Sequence, residues 1–403
     1  MKEFFLKERE KLSPFKISPF CQHFGKCGGC TMQDIAYEKQ LQLKRDYLLE
    51  IFKKNGILED HLNLDEFIPS SSIYYYRNKM EFCFGTENNQ LVIGLRESNL
   101  NKKTKIKKVV PLIECPIFSL KVKEIFSITL SSLSKMQLPA YEPYTKKGFF
   151  RHLLIRETKN THQIMLCLVT KSNPPIDLTS FIKDISKIEQ IKSIYWIKND
   201  IISDAINFQN KELIWGSPFI EESLSDLKFR IYPETFFQPN TELAEILYLK
   251  ILESIKEKNT DILSLYSGAG TTEIFLSKIA NEIIGIDSLA MNINTAWENA
   301  QINGIKNCRF LCQRVEKIKD EFKFKDFRYL IVDPVRAGIS SKAMRKILSL
   351  GIPNLIYISC NPLSLLNDLL ILKKNGYTIK KISAFDFYPH TFHIETMVCL
   401  EKI

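Results

Sequence analysis

Hydrophobic and polar positions change rhythm twice along the 403 residues. Between Asp34 and Lys54 the apolar Leu41, Tyr47, Leu48 and Ile51 recur at helical spacing, and Asn55-Gly56 follows as a stop, so one helix is predicted. From Phe67 to Phe208 short alternating or β-branched runs take over: Lys79–Phe84, Leu91–Leu95, Leu153–Glu157, Gln163–Thr170 and Ser193–Lys198. They read as strands of a mostly antiparallel α+β domain, with a helical interlude near Ser119–Ser134. From about Asn240 a helix, Thr241–Lys256, leads into strands that alternate with helices. Those strands are Asp261–Tyr266, Glu282–Asp287, Arg309–Cys312, Tyr329–Asp333, Asn354–Ser359 and Lys380–Phe385, with Thr396–Leu400 as a last strand-like run. Such alternation predicts a Rossmann-like α/β domain with a mainly parallel sheet. The expected division is 1–66 for a cysteine-rich segment and helix, 67–220 for the β-rich domain and 221–403 for the α/β domain.

Composition adds bounds. Apolar residues make up 45% and charged residues 25%, as in ordinary globular chains. Lys and Arg outnumber Asp and Glu by 56 to 46. That modest excess is compatible with a polyanionic partner and equally with a lysine-rich composition. No apolar run approaches the ~18 residues of a membrane span, and Met1–Phe20 lacks the apolar core of a signal peptide. A cytoplasmic protein with no membrane partner is expected. Ten cysteines in a reducing compartment suggest metal-binding, catalytic or simply buried thiols.

Chemistry concentrates in four places. The strand Asp261–Tyr266 runs into Ser267-Gly268-Ala269-Gly270-Thr271-Thr272, a turn whose glycines let the backbone approach a ligand closely. Asp287 ends the next strand, where an acidic residue usually grips a ribose hydroxyl. Glu273 stands where a dinucleotide fingerprint has its third glycine, which favours a smaller adenosyl cofactor. Cys360 follows Leu355–Ser359 and precedes Asn361-Pro362, at a strand end where ligands bind in this architecture, and Asp333-Pro334-Val335-Arg336 ends the preceding strand. Tyr388–Glu395 places His390, His393 and Glu395 between two strand-like runs. A hydrolase relay and a methyltransferase with Glu395 as base both fit these residues. Cys21-x5-Cys27-x2-Cys30, with Cys115 as the fourth thiolate, has the spacing of a zinc or iron–sulfur site. The basic run Lys102–Lys108 suits RNA phosphates or a solvated hairpin tip.

Taken together these segments resemble the RNA (uracil-5-)-methyltransferase family. The resemblance rests on Tyr76–Phe82, Arg151-His152-Leu153, Phe236–Asn240, Leu265–Gly270, Asp333–Arg336, Ser359–Pro362 and Pro389–Glu395, in that order. It implies an S-adenosylmethionine-dependent methyltransferase acting on C5 of a uridine, with Cys360 as nucleophile and Glu395 as general base. Gln238, Tyr266, Asp287 and Asp333 match cofactor-contacting positions, as do Thr271 and Arg314 more weakly; Gly268 and Gly270 form the cofactor turn. The resemblance also implies a [4Fe-4S] cluster on Cys21, Cys27, Cys30 and Cys115. Within the family that motif points to 23S rRNA, with transfer RNA as the alternative; a non-catalytic iron–sulfur RNA-binding protein is the rival from another class. A monomer without the family's small N-terminal β-barrel is expected. The chain departs from the family at Ser264, usually aspartate, at Val335, usually proline, and at Leu366-Asn367-Asp368, usually Ala-Arg-Asp.

Overall fold

In the computed structural model, residues 4–5, 7–8, 13–58, 64–98, 108–318, 322 and 325–403 are described; of the basic run, only Lys108 falls among them. The first long helix, α1, is Tyr37–Lys54. It begins three residues later than the apolar pattern suggests. Asp34 and Ile35 are held extended, with the Ile17 N–H donating to the Asp34 carbonyl at 3.0 Å and Lys16 bridging Ile35. Asn55 closes the helix, its side-chain amide donating to the Ile51 carbonyl at 2.7 Å.

Strand β1, Glu66–Ile68, is followed by β2 (Lys79–Glu87), β3 (Gln90–Arg96) and β4 (Val109–Pro111), then helix α2 (Val122–Leu133). Strands β5 (Phe150–Glu157) and β6 (Ile164–Thr170), helix α3 (Thr179–Ile185), and strands β7 (Ile191–Lys198) and β8 (Lys211–Gly216) complete the central part. Its seven-stranded sheet runs β4-β3-β2-β5-β6-β7-β8, antiparallel except for the β6–β7 pair that α3 connects. A separate hairpin, β9 (Ile220–Leu224) and β10 (Leu227–Ile231), leads into the last part.

There helix α4 (Thr241–Ser254) is capped by Asn240, whose side chain accepts the Leu243 N–H. Then come β11 (Thr260–Leu265), α5 (Thr271–Leu276), β12 (Ala280–Asp287), α6 (Ala290–Ile302), β13 (Cys308–Cys312) and β14 (Phe327–Val332). Helix α7 (Ser341–Leu350), β15 (Asn354–Ser359), α8 (Pro362–Lys374), β16 (Tyr377–Phe385) and β17 (Glu395–Lys402) end the chain. The eight strands order as β1-β16-β17-β15-β14-β11-β12-β13, with only β17 antiparallel to its neighbours. Side chains alternate between two cores. Leu263, Leu265, Leu330, Val332, Leu355 and Tyr357 face α1, α7 and α8. Ile262, Ile331, Ile356 and Ile358 face α4, α5 and α6. Burial on both faces is why these strands read as continuous apolar runs. The three-residue β1 joins this sheet by pairing parallel with β16, Phe67 opposite Ala384. Among the described residues, no helix is long and apolar enough to cross a membrane.

Candidate active site

Parallel strand order reverses between β11 and β14, and in such sheets ligands bind outside the strand ends at that point. Tyr266, Gly268 and Gly270 follow β11 with φ of 64°, 54° and 78°, so the chain turns through left-handed backbone. Gly270 is required twice over, because a Cβ there would lie 2.8 Å from the Ala296 Cβ and 2.9 Å from the Phe310 ring. Asp287 pins this turn from the neighbouring strand. One carboxylate oxygen accepts the Gly268 N–H at 3.1 Å; the other accepts from Leu289 N–H at 2.8 Å and the Asn292 amide at 3.3 Å.

Gln238, Tyr266, Thr271 and Asp333 line one narrow pocket beside this turn, together with Tyr248, Ser264, Ser267 and Glu273. The Gln238 amide donates to Asp333 at 3.1 Å. The Gln238 carbonyl accepts from the Asn78 side chain at 2.6 Å, tying the pocket to β2 of the central sheet. Thr271 shares a 3.0 Å hydrogen bond with the Tyr248 hydroxyl. Arg314 is not brought to this pocket; it is exposed where the 3-10 turn Val315–Lys317 begins.

Cys360 sits between β15 and α8. Asn361 caps α8 by accepting the Leu363 N–H, and Pro362 fills the first helical turn, where no N–H is needed. The Ser359-Cys360-Asn361-Pro362 sequence thus ends a strand and starts a helix with the thiol at the junction. β15 and β17 are antiparallel with Ser359 opposite Thr396, so the next step of the register sets Cys360 opposite Glu395. Asp333 follows β14 on the other side of β15. Burial pushes Asp333 up to about 7, against the Gln238 hydrogen bond. It raises Glu395 well above the usual carboxylate range, and the nearby Asp333 charge adds to the effect. Burial also pushes the Cys360 thiol up to about 12, with the charges of Glu395 and Asp333 adding and Arg336 opposing. Burial therefore favours the protonated forms of Glu395 and of the Cys360 thiol.

The loop between β16 and β17 carries both histidines. His390, at φ 64°, stacks on Tyr74 with ring centroids 4.7 Å apart. Its N–H donates to Gln40 Oε1 at 2.9 Å, and its Nδ1 lies 3.1 Å from Gln40 Nε2, which also donates to the Met32 and Ile35 carbonyls. Lys44 Nζ meets Asp386 Oδ1 at 2.5 Å and the Tyr388 carbonyl at 3.1 Å, and the Lys44 and Asp386 side chains are fully buried. The Tyr76 hydroxyl donates to the Pro389 carbonyl at 3.0 Å. Burial first, then nearby cationic charge, pushes both histidines down to about 4, so they are neutral at physiological pH. Gln40 and Lys44 escaped the sequence reading; the one available signal was a glutamine and a lysine four residues apart on a helix that must bury a face.

A larger cleft of about 1170 Å³ opens beside the loop. Arg77, Lys79, Arg156 and Arg336 line it with Phe236, Asn361, Tyr388 and His393, and Gly28 and Gly29 form part of its wall. Arg77 lies over the Tyr388 ring at 5.9 Å. With Arg96 the lining has five cationic side chains against three acidic ones, Glu81, Glu97 and Glu234, and that positive excess suits a polyanion.

Cys21, Cys27, Cys30 and Cys115 are each buried to 6–7% exposure. Burial pushes all four thiols up, and proximity adds to it: Cys30 lies near enough to feel the other three, and Cys115 to feel Cys27 and Cys21. Gln33 braces the segment, accepting the Cys21 N–H at 3.0 Å and donating to Cys30 Sγ at 3.2 Å. Gly28 and Gly29 are needed for close packing on β3, since a Cβ would fall 3.1 Å from the Arg96 carbonyl oxygen or 3.0 Å from the Leu95 side chain. Among the described residues, no three His, Cys, Asp or Glu are arranged to hold a single metal ion.

The family model described as tRNA (Uracil-5-)-methyltransferase matches residues 36–403. An "Uncharacterized RNA methyltransferase" of Clostridium tetani is 36% identical over 400 residues, covering 96% of this chain and 85% of the relative. The tRNA (uracil(54)-C(5))-methyltransferase of Pyrococcus furiosus is 33% identical over 391 residues, covering 97% and 87%. The crystal structure of Pyrococcus abyssi tRNA (uracil-54, C5)-methyltransferase in complex with S-adenosyl-L-homocysteine superposes with a TM-score of 0.75 at 30% identity, covering 92% of this chain and 85% of that one. A match that runs from just before α1 to the last residue takes in both sheets and the loop between β16 and β17, and on it the chain belongs to the tRNA (uracil-5-)-methyltransferase family of RNA methyltransferases.

Proposed function

We propose that the chain transfers a methyl group from S-adenosylmethionine to C5 of a uridine in RNA, with Cys360 as nucleophile and Glu395 as general base. The observation that carries this reading is the register that sets Cys360 opposite Glu395, with Asp333 on the adjacent strand. C5 of uracil is a weak nucleophile. The Cys360 thiolate adds to C6 and makes C5 nucleophilic; C5 takes the methyl group; Glu395 removes the C5 proton; elimination frees the thiolate. The Arg336 charge opposes the burial that keeps the thiol protonated, so it assists the first step. S-adenosylmethionine supplies the electrophilic methyl group when bound. Gln238, Tyr266, Thr271 and Asp333 are the residues around its pocket, while Gly268, Gly270 and Asp287 shape the turn beside it. Arg314 has only the family resemblance behind it.

For the substrate, a transfer RNA uridine is supported by the Pyrococcus relatives, which carry that activity in their names across nearly the whole chain. The cysteine spacing favours 23S rRNA as a second reading. The four buried, mutually interacting thiols fit a [4Fe-4S] cluster by donor type and number. Methyl transfer needs no electron carrier, so the cluster would serve as a cross-link between the Cys21–Cys30 segment and Cys115. The test is to incubate the Glu395→Gln enzyme with S-adenosylmethionine and either transfer RNA or 23S rRNA transcripts. A covalent protein–RNA adduct that survives a denaturing gel, with one RNA and not with a Cys360→Ala background, is expected. No adduct with either RNA sinks the assignment of Glu395.

A further inference from the structure

Glu273 is an anomaly in the narrow pocket. It lies in α5, is fully buried, and neither carboxylate oxygen meets a hydrogen-bond donor at bonding geometry. The Ser264 hydroxyl is close enough to draw its pKa down, but burial wins and pushes the carboxyl up to about 7. Its charged neighbours, Asp287 and Asp333, are both acidic. The pocket lining contains two carboxylates, Glu273 and Asp333, and no Lys, Arg or His. Asp333 already accepts the Gln238 amide at 3.1 Å, whereas Glu273 has only the Ser264 hydroxyl and its own backbone N–H near it, neither in bonding geometry. A buried carboxylate among carboxylates costs stability unless a cation with hydrogen-bond donors meets it.

We infer that Glu273 receives the cationic amino group of the cofactor's methionine portion. The inference rests on the reading of this pocket as the S-adenosylmethionine site. An ammonium group offers three donors and a full charge, which suits an unpartnered carboxylate. The sulfonium carries charge but no donor, and the ribose is neutral. Ser264 lies one residue short of the β11 end and Glu273 faces it from α5, so both border the same pocket.

The experiment is calorimetric titration of the full chain with S-adenosylhomocysteine, which carries the amino group, and with 5′-methylthioadenosine, which lacks it. Glu273→Gln keeps the shape and removes the charge. The variant is expected to bind S-adenosylhomocysteine about 10- to 100-fold more weakly, the loss typical of a charge-assisted hydrogen bond, and 5′-methylthioadenosine within about twofold of wild type. Ser264→Asp on the Glu273→Gln background should recover most of the S-adenosylhomocysteine affinity. Thermal unfolding without ligand should show Glu273→Gln at least as stable as wild type, because an unpaired buried charge has gone. Unchanged S-adenosylhomocysteine affinity, equal losses for both ligands, or a destabilised ligand-free variant would each overturn the inference. A wild-type chain that binds neither ligand would instead remove the cofactor-site reading on which it stands.

Discussion

Lys44→Met tests how the loop before Glu395 is held. The lysine reaches from α1 to two acceptors, Asp386 at 2.5 Å and the Tyr388 carbonyl at 3.1 Å, with both side chains of the ion pair at 0% exposure. Burial lowers the Lys44 pKa and the Asp386 charge opposes that, so the pair stands by mutual compensation. Methionine fills the space of the stem and removes the charge. Asp386 then keeps its own burial without its cation, with the Tyr37 hydroxyl left beside it. Breaking one side of a buried pair costs about 3–5 kcal/mol, whereas replacing both sides by apolar groups is often near neutral. Lys44→Met should therefore lower stability by about that amount in urea denaturation, and Lys44→Met with Asp386→Leu should recover most of it. In methyl-transfer assays kcat should fall more than KM rises, because Glu395 directly follows the loosened segment. A single variant within about 1 kcal/mol of wild type, or a double variant no better than the single, would refute the reasoning.

Three further outcomes follow from the same geometry. Folded Glu273 keeps its proton up to about pH 7 and the unfolded chain only to 4.5. Between those values the folded state holds the extra proton, so wild-type stability falls as pH rises through the window, on the order of 3 kcal/mol from this group. Denaturation at pH 5 and pH 8 should show that fall reduced in Glu273→Gln; equal slopes would reject it. Iodoacetamide should alkylate Cys360 slowly at pH 7 and faster toward pH 10, since burial and two carboxylates push the thiol up to about 12, and Arg336→Gln should slow it further; a fast reaction at pH 7, read by peptide mass spectrometry, would contradict this. Gly270→Ala forces a Cβ into left-handed backbone and within 3 Å of Ala296 and Phe310, so a loss of about 1–3 kcal/mol with weakened S-adenosylhomocysteine binding is expected, checked by thermal unfolding and titration.

The α/β half was legible because its central strands are buried on both faces and read as continuous apolar runs, alternating with helical stretches. The same logic misses β1. Three residues have no period, and their partner β16 lies more than 300 positions away. Short edge strands β4 and β8 escaped because they are half-exposed or too brief to alternate clearly; the β9–β10 hairpin does alternate in burial, but it lies in the stretch 208–239 that reads as the boundary between the two parts. At the candidate site, strand ends and turn residues mark Cys360, Asp333 and the glycine turn, whereas Gln238 has only the family resemblance to point to it. Glu273 could not be recognised as a site residue from its position alone. A glutamate two residues into a helix reads as solvent-facing, and only the packing of α5 against β12 and α6 shows it to be buried.

The loop residues show a further limit of linear reading. Tyr76 and Asn78 belong to one segment and Gln40 to another far from it, yet each makes its hydrogen bond to the C-terminal part: Tyr76 to Pro389, Asn78 to Gln238, and Gln40 to His390. Thr31 and Met32 add two N–H donors to the His390 carbonyl, one residue beyond Cys30. A polar side chain earns burial only if it satisfies backbone groups that would otherwise be orphaned, and the left-handed His390 turn exposes such groups. The segment that bears three of the clustered cysteines is therefore bonded directly to the loop that ends at Glu395. Disturbing the fold around Cys30 should reach Glu395 through His390 before it reaches the turn after β11, which Asp287 anchors from the neighbouring strand. On that account, loss of order in the Cys21–Cys30 segment impairs methyl transfer while cofactor binding persists. Replacing Cys30 by Ser and comparing S-adenosylhomocysteine affinity with turnover separates the two; equal losses would show that the two anchors are not independent.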